Sequence, residues 1–124
     1  MSNQMNSIHI EGNLTRKPEL KYNPNRTAVA TFAVAINRRW KQGDEEKDDV
    51  CFIDCVVFKK TAEYCAQYLN KGDRVIVVGR IQQRRWETDD GQKRSKHELV
   101  VYEIFNRANH NRETEGQWEE EPQG

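Results

Sequence analysis

VCFIDCVVFKKTAEYCAQYLNKGDRVIVVGRI, from Val50 to Ile81, changes its period twice, and those changes decide the fold. From Val50 to Lys59 the residues alternate as they do along a strand with one buried face. Cys51, Ile53, Cys55 and Val57 then form a core stripe, while Phe52, Asp54, Val56, Phe58 and Lys60 face outward together. From Thr61 to Asn70 the period becomes helical. Ala62, Cys65, Ala66 and Leu69 share a face, Thr61 can serve as N-cap, and Lys71-Gly72 ends the helix. From Arg74 to Arg85 the chain reads as a strand again, with a bend at Gly79.

Working outward from this strand–helix–strand unit, Ser7 to Leu14 reads as a first strand with a bulge or bend at Gly12. Ala28 to Trp40 is a second strand, rich in β-branched and aromatic residues, and His97 to Ile104 is a fifth. Asp89-Asp90-Gly91 signals a hairpin turn between the last two strands. Residues 15–27, with Pro18 and Pro24, read as a long loop, and residues 41–49 as a polar connection. Three strands, a short helix and two more strands predict an all-β chain: a five-stranded OB-fold barrel with one short helix between strands three and four. Strand count alone also admits an SH3-like barrel; the position of the helix favours the OB-fold. The expected division is a folded domain over residues 1–108 and a short, acidic, disordered tail over 109–124.

The chain has 124 residues, 35% of them hydrophobic and 32% charged, which suits one modest domain with much of its length on the surface. No run approaches the roughly 20 apolar residues of a membrane span, and the N-terminus has no signal-peptide pattern, so a soluble, cytoplasmic protein is expected. The net charge of zero hides an asymmetry. Up to Ala108 there are 19 Lys and Arg against 15 Asp and Glu, and beyond it one Arg against five Glu. Five of the body's acids lie in DEEKDD, Asp44 to Asp49, which leaves the remainder basic enough to attract a polyanion. Cys51, Cys55 and Cys65 form no CxxC pair and read as buried free thiols. His9, His97 and His110 stand at no metal-ligand spacing, so neither metal nor cofactor is expected.

Catalytic patterns are missing too: the chain has no phosphate-binding glycine loop, no GxSxG and no HExxH. A non-enzymatic role is expected. Asp54, mid-strand between aromatics, reads as a structural hydrogen-bond acceptor in preference to a ligand contact. A recurrent pattern carries more information. Trp40 follows Arg38 and Arg39, Phe58 precedes Lys59 and Lys60, and Trp86 follows Arg84 and Arg85. Rings on which any base can stack, beside cations that track phosphates, are what single-stranded nucleic acid needs. Exposed aromatics also suit protein interfaces, but an apolar interface gains little from the repeated cations.

NSIHIEGNLTRKPELKYNPN, FAVAINRRW, FIDCVVFKKTAEYCAQYLNKGDRVIVVGRIQQRRWE and the Gly-Gln of DDGQKR before ELVV stand in an order and spacing that resembles the bacterial single-stranded DNA-binding protein family. The resemblance covers roughly residues 6–104. It implies sequence-independent binding and protection of single-stranded DNA during replication, recombination or repair. It places Trp40, Phe52, Phe58 and Trp86 at stacking positions, and Lys60, Lys71 and Arg85 at basic positions near the phosphates. Arg38, Arg39, Lys59 and Arg84 join the expected site on local charge alone. The family also implies a homotetramer, a dimer of dimers in which each dimer forms through its first strands. Its members usually carry a long linker and a Phe-terminated acidic tip, whereas this chain ends HNRETEGQWEEEPQG, which puts docking of protein partners through the tail in doubt. The alternative is an OB-fold accessory module of primosomal type, binding protein through its aromatic face and single-stranded DNA only weakly.

Overall fold

The computed structural model describes residues 3–107; the expected domain limit at 108, the acidic tail and Trp118 lie outside the described residues. In chain order the elements are β1 (Ile8–Leu14), β2 (Glu19–Tyr22), β3 (Ala28–Gln42), β4 (Glu45–Phe58), α1 (Lys59–Tyr68), β5 (Arg74–Glu87) and β6 (Lys93–Asn106). Five of the strands close on themselves in the order β1-β5-β6-β4-β3, and β3 returns to β1 through Asn13↔Ala35 and Leu14↔Val34. All the pairs are antiparallel except β4 with β6, which run parallel at Cys55↔Leu99 and Val56↔Val100. This is the expected five-stranded OB barrel. The remaining strand, β2, lies in the stretch read as a loop and hangs on the outer edge of β3. Its four residues sit between two prolines, and only Leu20 packs against the core, too short an alternation to register as a strand.

Two glycines let the sheet coil tightly enough to close. At Gly12, where β1 turns from β5 towards β3, a Cβ would strike the Ala35 carbonyl and the Val34 side chain. At Gly79 a Cβ would run into the Val100 carbonyl oxygen and Leu99, beside a bulge in the β5–β6 ladder between Val78 and Gly79. A bulge at a close backbone approach sharpens local twist, which a small barrel requires.

The core inside the barrel is built from fully buried Phe32 and Val34 of β3, Val57 of β4, Val75 and Val77 of β5 and Leu99 of β6. Helix α1 plugs one end with Ala62, Cys65 and Leu69, the spacing read from the sequence. Its start differs from expectation. The helix begins at Lys59, so Lys60 belongs to its first turn and not to the strand, and the N-cap is Phe58, which makes no side-chain cap bond. Strand β4 runs directly into the helix, which leaves Thr61 inside the first turn with no N-cap role.

The predicted core stripe of β4 is broken at Cys51, which is exposed while Cys55 and Cys65 are buried. The reason is architectural. Neighbouring strands hold the β3–β4 pair at residues 28–31, 34–35 and 55–56; beyond Ile36 and Cys51 the two strands pair only with each other among the described residues. Burial pushes the Cys55 and Cys65 thiols up to about 12, with the nearby Asp54 charge adding to the effect at Cys55. Val56, expected outward, is also nearly covered, because β6 lies directly alongside and pairs Val56 with Val100.

Candidate nucleic-acid interface

Two hairpin arms leave the barrel. The β3–β4 arm runs from Asn37 to its turn after Gln42, and the β5–β6 arm from Gln82 to its turn after Glu87. Six residues of strand give each arm a reach of about 20 Å. Thr88 closes the second turn through bonds between its backbone N and the Gln92 carbonyl, 2.8 Å, and from the Gly91 N–H, 3.0 Å.

In the first arm the acidic run Asp44–Asp49, read as part of a polar connection, is mostly the return strand. After a two-residue turn at Gly43-Asp44 the ladder sets Glu45 opposite Gln42, Glu46 opposite Lys41, Asp48 opposite Arg39 and Asp49 opposite Arg38. Acids have poor strand propensity, but opposite charges facing across a ladder stabilise it, and the basic strand supplies them here.

Strand alternation and ladder register sort the candidate residues by face. Phe52, Asp54 and Phe58 of β4 point to the outside of the barrel wall. Strand β6 lies beside β4 and turns Lys96, Glu98 and Val100 outward, and β5 beyond it turns out Arg80, Gln82, Arg84 and Trp86. One surface spanning β4, β6 and β5 therefore carries Phe52 and Phe58 at one side and Trp86 at the other. These rings are 63%, 40% and 39% exposed, a generous display of apolar area on a chain this polar. Arg39 shares the same outer face through its register with Asp48.

Trp40 and Arg38 belong elsewhere. They fall in phase with the inward-facing Ile36, Val34 and Phe32, so they occupy the other face of the β3–β4 ribbon. The Arg38 guanidinium lies 4.3 Å from the Trp40 ring centroid. Arg85 likewise falls on the opposite side of its arm from Trp86; it donates to Gln83 Oε1 at 2.7 Å and lines a shallow cleft of about 460 Å³ with Trp86, Lys93 and Arg94. Lys59 and Lys60 stand exposed in the first turn of α1, where uncapped N–H groups and the helix dipole add to their positive field. Lys71 lies three residues past the far end of that helix, whose stretch from Lys60 to Tyr68 is itself about 12 Å long at 1.5 Å per residue, and is not part of the cluster.

Two carboxylates on the outer face escaped assignment or had only an uncertain one. Asp54 accepts an ion pair from Lys96 Nζ at 2.7 Å, which agrees with its structural reading. Glu98, never singled out, accepts from Gln82 Nε2 at 2.9 Å and pairs with Arg84 Nε at 3.5 Å; Arg84 in turn lies 4.8 Å from the Trp86 ring centroid. The alternation of Lys96, Glu98 and Val100 along β6 was the available signal for this row.

Comparison with known proteins gives a consistent set of matches. The profile described as the single-strand binding protein family matches residues 5–106. A single-stranded DNA-binding protein of Wolinella succinogenes is 43% identical over 97 residues, covering 77% of this chain and 60% of the relative. One from Bacillus cereus is 39% identical over 124 residues, covering 97% of this chain and 71% of the relative. Among solved structures, a complex titled Plasmodium falciparum SSB with ssDNA superposes with a TM-score of 0.76 at 26% identity, covering 84% of this chain and 96% of that one. The chain spans 60% and 57% of the lengths of the Wolinella succinogenes and Helicobacter hepaticus relatives.

Proposed function

The chain belongs to the single-strand binding protein family, and on that premise we propose that it binds single-stranded DNA irrespective of sequence and shields it during replication, recombination or repair. The observation that carries this reading is the outer β4–β6–β5 surface, which displays Phe52, Phe58 and Trp86 together, with Arg39, Lys59 and Lys60 at its margin. Stacking on such rings is indifferent to base identity and contributes roughly 1–3 kcal/mol per base. Trp40 with Arg38, and Arg85 in the arm cleft, extend the contact beyond this face, and Lys71 meets the strand where it leaves along α1. The role is that of a binder and involves no bond-making step.

We further infer that the chain dimerises through first strands and that two such dimers form a homotetramer. The support is the edge of β1 from Ile8 to Gly12, which pairs with β5 on one side and with no described strand on the other. Cytoplasmic action at exposed single strands follows from the same reading; among the described residues no helix is long and apolar enough to cross a membrane.

Titration with oligo-dT, followed by tryptophan fluorescence and light scattering, tests both inferences. Quenching that weakens steeply as salt rises is expected, with a scattering mass of four chains. Absence of quenching at low salt would refute DNA binding, and a monomer mass would refute assembly.

A further inference from the structure

Among the described residues Glu98 is the one buried charged side chain, and it sits on the face assigned to a polyanion. A carboxylate there repels phosphate, so its presence calls for an offsetting role. Its neighbours supply one. By register Arg84 stands directly opposite Lys96, and like charges so placed destabilise a ladder. The two cations are drawn apart by separate acids: Lys96 pairs with Asp54 on the β4 side at 2.7 Å, and Arg84 with Glu98 at 3.5 Å. Glu98 is itself fixed by the Gln82 amide at 2.9 Å. Gln82, Arg84 and Trp86 follow one another along the same face of β5, so an Arg84 side chain anchored by Glu98 comes to lie over the indole, 4.8 Å from its centroid.

We propose that Glu98 is a positioning residue that holds Arg84 against one face of Trp86, so that Arg84 backs the ring and leaves phosphate contact to other cations. The base then has one open ring face, and the indole has less side-chain freedom to lose when a base stacks. This rests on the outer face being the DNA-binding face, and it moves Arg84 from the phosphate contacts expected from local charge to the support of Trp86.

The test uses the full chain with Trp40→Phe and Trp118→Phe, so that Trp86 alone emits. This parent is titrated with oligo-dT across a range of salt, beside Arg84→Ala, Glu98→Gln and the double variant. Arg84→Ala is expected to weaken binding about two- to fivefold through loss of the cation–ring contact, with the log K against log[salt] slope unchanged. Glu98→Gln is expected to shift Trp86 emission in the free protein and to steepen the salt slope by about 0.7, as the released Arg84 finds a phosphate. Adding Arg84→Ala to Glu98→Gln returns the slope to the parental value. The proposal is overturned if Arg84→Ala alone flattens the slope by about 0.7, or if Glu98→Gln leaves both slope and emission unchanged. Should circular dichroism show that Glu98→Gln does not fold, the slope of Arg84→Ala decides by itself. A parent that shows no quenching sinks DNA binding instead, and the emission of the unliganded variants still reports whether Glu98 orders the indole.

Discussion

Replacing Trp86 by alanine separates stacking from packing. The side chain is 39% exposed, stands on an arm beyond the barrel core, and contacts Arg84 over its ring. Losing an exposed cation–π contact costs about 0.5–1 kcal/mol of stability. For a domain of this size, about 1 kcal/mol moves the melting temperature by roughly 4–8 °C, so the variant should stay folded at room temperature. Removal of one stacked base, at roughly 1–3 kcal/mol, should instead lower oligo-dT affinity by about 5- to 150-fold. No charge is removed, so the slope of log K against log[salt] should not move. Anisotropy of a dye-labelled oligonucleotide, measured at several salt concentrations beside a thermal melt, gives all three quantities. A variant that unfolds at 25 °C would mean that the indole holds the domain together. A folded variant with undiminished affinity would mean that no base stacks there. Either result removes Trp86 from the interface.

Three other outcomes follow from charge and burial. Lys60→Ala removes a cation from the exposed first turn of α1 and should flatten the salt slope by about 0.7, with a modest loss of affinity at low salt. Asp48→Asn with Asp49→Asn removes the negative charges set opposite Arg39 and Arg38 in the ladder; binding at low salt should tighten and the salt slope should steepen, and an unchanged titration would show that those arginines do not meet DNA. Ellman's reagent should modify Cys51 rapidly in the folded protein, whereas Cys55 and Cys65, buried and pushed up to about 12, should react only after denaturation.

What could be read in advance was whatever local periodicity controls. The helix spacing of Ala62, Cys65 and Leu69 located the barrel plug, and Gly12 and Gly79 marked the two bends, because each signal is confined to a few neighbouring residues. The same alternation failed at Cys51, since period two says which residues share a face but not where the covering strands stop. DEEKDD looked like a loop because its strand character depends on a partner: the basic residues Arg38, Arg39 and Lys41 lie across the ladder and make acids tolerable in a strand. Alternation along β6 puts Glu98 in the outer row, but its role was hidden for a related reason. Its burial and its hold on Arg84 arise from β5 and β6 lying side by side, a relation that no single segment encodes.

The three aromatic–cation repeats looked equivalent in the sequence, and the ladder register makes them unequal. Phe58 and Trp86 share one outer surface with Phe52, whereas Trp40 lies on the reverse of the β3–β4 ribbon. Trp40 also stands five residues further along β3 than Ala35, the register partner of Phe52, a separation of about 17 Å along the strand. A strand that touches both must pass around the arm, so contact with Trp40 requires length. OB-fold site sizes run from about 4 to 16 nucleotides. An oligonucleotide near the lower limit can occupy the outer face alone, and its affinity should be insensitive to Trp40→Ala and sensitive to Trp86→Ala. Towards and beyond the upper limit, Trp40→Ala should become as damaging as one lost stack, roughly 5- to 150-fold. Equal losses at both lengths would show that the ribbon's two faces serve one short site, and the path around the arm would have to be abandoned.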